Sequence, residues 1–513
     1  MRATGRGTDL MGVELLLEMA VSAHPDRVAV RDGRRELTYD ELRRAAGDLA
    51  ARLHAQGARS LAFVGVNSAV VPIALFGAAL AGVPFTPLNY RLSADALDVL
   101  VGRLDAPLVL GDSDKLTALS LSDSVVEVVD TDTIGGPSAG SNWSPPETDD
   151  GAPVVMLFTS GTTAAPKGVL LRHHQLMAYI LQTVEFDAGA GETSLVSLPP
   201  YHVAGVGAVL SNIYSGRCLS YLADFSAQVW LDRVRSERVT SAMVVPTMLA
   251  RVVDSLDGEP ADVPSLRFLA YGGARMPLPV LEAAVAAFPD TGFTNAYGLT
   301  ETSSTIAVLS PDDHRDAMSS DDPLVRQRLG SAGRFVPGVE GQIRGPDRSL
   351  LGPGEIGALW VRGPQVSGDY AETGSVLDED GWFATRDDAW LDAGGYLFIA
   401  GRTDDTIIRG GENIAPDEVE QTVITHPDVA DVAVFGTPDT QWGERTVACI
   451  VLRSDAVCTE ADIREWARTR ARSSRTPDVV RFVDNLPYSP TGKLLRRELK
   501  GTIGGAEDRT AAS

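Results

Sequence analysis

The apolar run Val154 to Phe158 passes directly into Thr159-Ser160-Gly161-Thr162-Thr163-Ala164-Ala165-Pro166-Lys167-Gly168. A short apolar run bounded by turn residues reads as a buried strand. The loop it feeds has the composition of an anion cradle. Glycine lets backbone N–H groups close on an anion, the hydroxyls add donors, and Lys167 adds a mobile positive charge. The P-loop of phosphotransferases is excluded by local chemistry. That motif needs glycine before its lysine and a hydroxyl after it, whereas Lys167 lies between Pro166 and Gly168.

Upstream, Thr38-Tyr39-Asp40-Glu41 predicts a capping box. The spacing of Leu42, Ala45, Ala46, Leu49 and Leu53 continues it as a helix to about Gly57. A strand at Leu61 to Val66, a helix from about Ser68 to Ala81 and a strand near Phe85 follow. Alternating strands and helices predict an α/β fold built on parallel-rich sheets covered by helices. Residues 111 to 150, rich in Asp, Ser, Gly and Pro, read as irregular surface.

Across 513 residues, 44% apolar content supports substantial cores and more than one domain. The formal charge of −24 argues against nucleic acid or an anionic membrane as a partner, so an anionic ligand must meet local positive charge. Lysine is scarce: Lys115, Lys167, Lys493 and Lys500 stand against 41 arginines. A lysine inside a motif is therefore less readily filler. Cys218, Cys449 and Cys458 are widely spaced and odd in number, which predicts neither a disulfide framework nor a zinc site. No membrane span or signal core is apparent, so a cytoplasmic protein is expected.

Further motifs follow in order. They are Pro199-Pro200-Tyr201-His202-Val203-Ala204-Gly205, Tyr271-Gly272-Gly273-Ala274, Asn295-Ala296-Tyr297-Gly298-Leu299-Thr300-Glu301, Gly381-Trp382-Phe383-Ala384-Thr385-Arg386-Asp387, the segment Gly401 to Ile414, and Pro490-Thr491-Gly492-Lys493. Chemically, an aromatic ring can stack on a base, a hydroxyl can donate to a phosphate and a carboxylate can hold magnesium. The last 110 or so residues read as a small α+β domain. Strands are predicted near Ala430 to Phe435, Thr446 to Leu452 and Val479 to Val483, with a helix opening near Pro416 and another capped at Thr459.

With these motifs in this order from about Gly12 to Leu499, the chain resembles the adenylate-forming enzymes, the acyl- and aryl-CoA synthetases among them. Two positions depart from the family's usual pattern: Ala164 and Arg386 each stand where glycine is usual. The resemblance implies a large N-terminal domain over 1–402 and a small mobile lid over 403–513, with the hinge at Asp404. It implies a nucleotide site at Thr159, Ser160, Gly161, Thr162, Thr163, Lys167, Gly272, Gly273, Ala274, Asn295, Ala296, Tyr297, Gly298, Thr300, Asp387, Arg402 and Lys493, with Asp387 on the ribose. Catalytic roles fall to Lys493, Thr300, Glu301 and His202, with magnesium at Glu301. Gly410 and Gly411 line the thiol's path, and the acyl pocket is expected at His202, Val203, Val206, Met243, Gly272, Gly298 and Ser303.

The implied activity is ATP-dependent ligation of a carboxylic acid to coenzyme A through an acyl-adenylate. No aspartate between Pro200 and Gly216 awaits a substrate amine, and the expected wall residues are uncharged, so a fatty or other hydrophobic acid is expected. The alternatives are an aryl acid, an acyl carrier protein as acceptor, or a noncatalytic adenylate-binding protein. The sequence leaves the oligomeric state open, a homodimer included.

Overall fold

The computed structural model describes residues 12–135, 148–159, 166–402, 405–409, 412–439, 442–453, 456–470, 475–489, 494–496 and 498–501. Among them, two parallel-rich sheets dominate the N-terminal part. In the first, strands Gly292–Leu299, Phe268–Gly272, Ser241–Val244, Thr193–Val196, Cys218–Tyr221 and Val28–Arg31 run parallel side by side. Antiparallel strands extend both edges. In the second, Pro153–Thr159, Phe85–Pro87, Ser60–Val64, Pro107–Gly111 and Glu127–Asp130 run parallel, with Lys167–Arg172 antiparallel at one side.

Helices Tyr39–Ala55 and Val70–Ala81 belong to a core that includes side chains from both sheets. The first opens as predicted: the Glu41 amide donates to Thr38 Oγ1 at 3.2 Å and the Thr38 amide to Glu41 Oε2 at 2.8 Å. Its predicted apolar stripe is buried. The second helix is buried on nearly every side, as expected of a helix covered all round by protein. Each large apolar side chain buried here contributes roughly 1.5–3 kcal/mol.

One expectation is corrected. Glu127–Asp130, inside the segment read as irregular, is an edge strand parallel to Pro107–Gly111. Val129 is buried while Val128 is 47% exposed. Two residues of alternation amid Asp and Ser are too short to read as a strand without the neighbour that supplies the hydrogen bonds.

A third, antiparallel sheet of Glu340–Arg344, Gly357–Arg362, Phe383–Leu391 and Leu397–Arg402 follows. The C-terminal residues form a smaller α+β unit. Strands Val429–Asp439, Gly443–Leu452 and Val479–Phe482, with helices Pro416–Val423 and Glu460–Arg470, occupy the predicted places. None of the described helices is long and apolar enough to cross a membrane.

Candidate active site

Strands Pro153–Thr159 and Lys167–Arg172 pair antiparallel with Thr159 opposite Lys167, so these two residues form the base of the anion loop. Ser160, Gly161, Thr162, Thr163 and Ala164 lie outside the described residues. The descending side is tied down by charge: Arg103 Nη1 donates to the Pro166 carbonyl at 2.8 Å and its other Nη pairs with Glu372, which accepts from the Gly168 amide at 3.2 Å. Lys167 Nζ stands 5.4 Å from the centre of the Tyr370 ring, a cation–π placement.

The Tyr370 hydroxyl donates to Glu301 Oε1 at 2.8 Å. Glu301 lies in a tight turn, Thr300–Thr302, whose backbone is pinned from both sides. The Glu301 carbonyl accepts from the Ser367 and Gly368 amides at 2.8 and 3.1 Å, and Gln365 Nε2 donates to the Thr302 and Thr305 carbonyls at 3.0 and 2.9 Å. Ser303 and Ser304 follow at φ +56° and +108°, the first in the left-handed region. Non-glycine residues held there store strain of order 1–3 kcal/mol. The strain is balanced by this pinned turn, which aims Glu301. Burial, first, and Glu301, second, raise the Tyr370 phenol, while the positive charges of Arg386 and Arg402 oppose the rise.

A second cluster joins three predicted residues. Asp387 is 4% exposed. Its Oδ1 accepts from Arg402 Nε at 2.9 Å and its Oδ2 from the Tyr297 hydroxyl. Arg402 lies directly opposite Asp387 in the antiparallel register and also donates to the Thr385 carbonyl at 3.2 Å. A carboxylate offers two oxygens, the number of acceptors a vicinal diol takes. Burial, first, and the Asp387 carboxylate, second, hold the Tyr297 phenol well above its ordinary range.

Arg386 carries φ +64° and is exposed. The glycine usual in the resembling enzymes is the residue this backbone favours, and arginine holds the conformation at roughly 1–2 kcal/mol. Glycine is required elsewhere for space: a Cβ at Gly272 would stand 2.3 Å from the Ala296 carbonyl oxygen, and one at Gly298 1.8 Å from that of Ser304. Gly273 takes φ +81°, leading the chain past Ala274. Asn295 Nδ2 donates to the Ser331 carbonyl at 2.9 Å, bracing the strand that carries Ala296 and Tyr297.

A cavity of about 230 Å³ lies between helix Val203–Tyr214 and one face of the first sheet. Its lining includes Leu198, Ala204, Ser304 and Thr305, and strand register places Ser304 and Thr305 opposite Leu299 and Gly298, just before Thr300 and Glu301. Of the residues expected at the acyl wall, Met243 lines this cavity; His202, Val203, Val206, Gly272, Gly298 and Ser303 lie outside its lining. Helical rotation is the reason: Ala204, Gly207, Ala208 and Ser211 share the cavity face, and Val206, Val209, Leu210 and Ile213 turn into the core. His202 is the residue at the helix N-terminus, its ring 5.3 Å from that of Tyr201.

Sequence reading missed Arg275 as well as Tyr370. Arg275 Nη1 lies 3.8 Å from Asp417 Oδ2, and Asp417 also pairs with Arg496 at 3.0 Å, so the turn after Gly273 meets the C-terminal unit. The neighbouring glycines were the available signal. Lys493, Asp404, Gly410 and Gly411 lie outside the described residues. For magnesium, Glu301 offers a hard oxygen donor of the kind that ion takes alongside phosphate oxygens and water.

The family described as AMP-binding enzyme matches residues 17–371, and the AMP-binding enzyme C-terminal domain matches residues 418–493. A feruloyl-CoA synthase from Amycolatopsis sp is 34% identical over 497 residues, covering 94% of this chain and 96% of the relative. A fatty acid–[acyl-carrier-protein] ligase from Streptomyces coeruleorubidus is 29% identical over 511 residues, covering 94% and 95%. Among solved structures, an O-succinylbenzoate coenzyme A synthetase from Bacillus subtilis in complex with AMP superposes with a TM-score of 0.79 at 27% identity, covering 94% of this chain and 98% of that one. With an AMP-binding region and its C-terminal domain both present in order, this chain belongs to the AMP-binding enzyme family.

Proposed function

We propose that the protein is an ATP-dependent carboxylic acid–CoA ligase that forms an acyl-adenylate and then an acyl-CoA thioester. The observation that carries this reading is the pairing of two clusters. Asp387 with Tyr297 and Arg402 suits a nucleoside, and Glu301 with Tyr370 and Lys167 suits its phosphates. The turn that carries Glu301 follows the strand paired with Ser304 and Thr305, which line a cavity able to take the tail of an acid.

In the first half-reaction the acid's carboxylate oxygen attacks the α-phosphate, and pyrophosphate leaves. Negative charge gathers on phosphate oxygens, so Lys167, Thr300 and Lys493 act by electrostatic stabilisation and no protein nucleophile is needed. Magnesium held at Glu301 would neutralise the pyrophosphate. In the second half-reaction the thiol of coenzyme A attacks the acyl carbonyl, and AMP leaves. The lid, 403–513, turns about Asp404 between the two, exchanging Lys493 for Gly410 and Gly411. His202 stands between acid and nucleotide.

A fatty or aryl acid fits the uncharged upper cavity, where Met243, Ala204 and Ala270 meet. The feruloyl-CoA synthase relative favours the aryl side. The Streptomyces coeruleorubidus relative supports a second reading, with an acyl carrier protein as the acceptor. We place the enzyme in the cytoplasm. The deciding experiment is pyrophosphate release across fatty and aryl acids, with and without coenzyme A. Turnover that requires coenzyme A supports the ligase, and a single burst indifferent to it supports the carrier-protein reading.

A further inference from the structure

We infer that the acid this enzyme selects carries a hydroxyl at the end away from its carboxyl, received by a polar floor of the cavity. The inference rests on the ligase reading above and narrows its substrate class.

Strand register divides the cavity into rows. Ser194, Ser241 and Phe268 are in register at the bottom; Val196, Met243 and Ala270 form the row above; Leu198 lines it beyond that row. Four residues separate Ser194 from Leu198, about 13 Å of extended chain. The helix over this face runs the same distance, from Ala204 to Asn212, about 12 Å. The middle is lined by Gly207 and Ala208, facing Ser304 and Tyr179, and none of these side chains is charged. Such a lining suits an uncharged ring or chain.

The floor is different in kind. Asn212 Nδ2 donates to the Ala208 carbonyl at 2.8 Å, which turns Oδ1 into the amide's remaining acceptor. Ser211 Oγ spends its proton on the Gly207 carbonyl at 2.7 Å and keeps its lone pairs. Ser241 Oγ is buried and has no hydrogen-bond partner among the described residues. Two acceptors and an unpartnered hydroxyl complement a ligand O–H. An anionic tail is not favoured, since the guanidinium of Arg217 already meets Glu192 at 3.2 Å and Ser215 Oγ at 3.1 Å. A buried group left unpaired by an apolar tail costs about 1–3 kcal/mol, and a hydroxyl removes that cost.

Matched acids test this: para-hydroxycinnamic against cinnamic acid, and ω-hydroxydecanoic against decanoic acid, each followed by pyrophosphate release with ATP, magnesium and coenzyme A. The hydroxylated member of at least one pair is expected to have a kcat/KM about tenfold or more higher. Ser241→Ala and, separately, Asn212→Ala should shrink that preference at least threefold or so, read as the ratio of kcat/KM within each pair. The two variants guard against one failing to fold. Equal rates within each pair, or a preference that neither variant moves, overturn the hydroxyl floor and leave the ligase standing. Release with none of the four acids overturns both.

Discussion

The Tyr370 hydroxyl sits 2.8 Å from Glu301 Oε1, and the same ring lies beneath Lys167 Nζ. One aromatic side chain thus joins the acid expected to hold magnesium to the cation at the base of the phosphate loop. Glu301→Gln should lower pyrophosphate release about a hundredfold or more, with the melting temperature little changed. Tyr370→Phe, which frees the carboxylate but keeps the ring, should lose about tenfold. Equal losses in the two variants, read in magnesium titrations, would count against Glu301 as the metal ligand.

Asp387 binds Arg402 and Tyr297 at once while almost fully buried, so its removal has two effects. Asp387→Ala strands a guanidinium and a buried phenol and should destabilise the fold by about 3 kcal/mol. Tyr297→Phe keeps the ion pair and should cost about 1 kcal/mol. If Asp387 grips the ribose, Asp387→Asn raises KM for ATP more than tenfold or so, and for the acid much less. Denaturant unfolding and initial-rate kinetics separate these effects.

Arg386 occupies the left-handed region at φ +64°. Arg386→Gly should stabilise the protein by roughly 0.5–1 kcal/mol, because glycine holds that backbone without a Cβ clash. Arg386→Ala should give no such gain. A shared response of both variants in urea unfolding would place the effect in the arginine side chain.

His314 is buried beside the site, its Nδ1 donating to the Ser310 carbonyl at 2.8 Å and its Nε2 accepting from the Tyr271 hydroxyl at 2.8 Å. Burial pushes this imidazole below its ordinary value of 6.5. The unfolded chain takes up a proton that the folded protein refuses, so this contribution is complete above about pH 6.5 and diminishes as the pH falls below it. His314→Gln should be less stable at neutral pH and lose less on going from about pH 7 to 5.5. Parallel thermal profiles would remove His314 from the acid response.

Lys493→Ala should nearly abolish adenylate formation while largely sparing thioester formation from supplied acyl-adenylate. Comparing the two half-reactions is the check, and equal loss in both would sink its assignment to the first.

Elements set by local chemistry were legible in the chain. The capping box at Thr38, the stripe from Leu42 to Leu53 and the strand into the phosphate loop each rest on neighbours within a few residues. The edge strand Glu127–Asp130 was not, because its hydrogen bonds come from Pro107–Gly111. Tyr297, Glu301, Asp387 and Arg402 could be nominated from their motif neighbours, but their partnerships could not. Tyr297 meets Asp387 across 90 positions and Tyr370 meets Glu301 across 69.

By itself, the sequence determined which chemical groups are present and in what order: a Ser/Thr/Gly loop with Lys167, the Tyr297 phenol, and the carboxylates of Glu301 and Asp387. Tertiary structure alone decided which of them touch, and which side of the helix from Val203 faces the cavity. Spacing shows that Ala204, Gly207 and Ala208 share a face and Val206 does not. Only the packed sheet decides that the valine face enters the core and the small-residue face borders the cavity, since burial favours the larger apolar area.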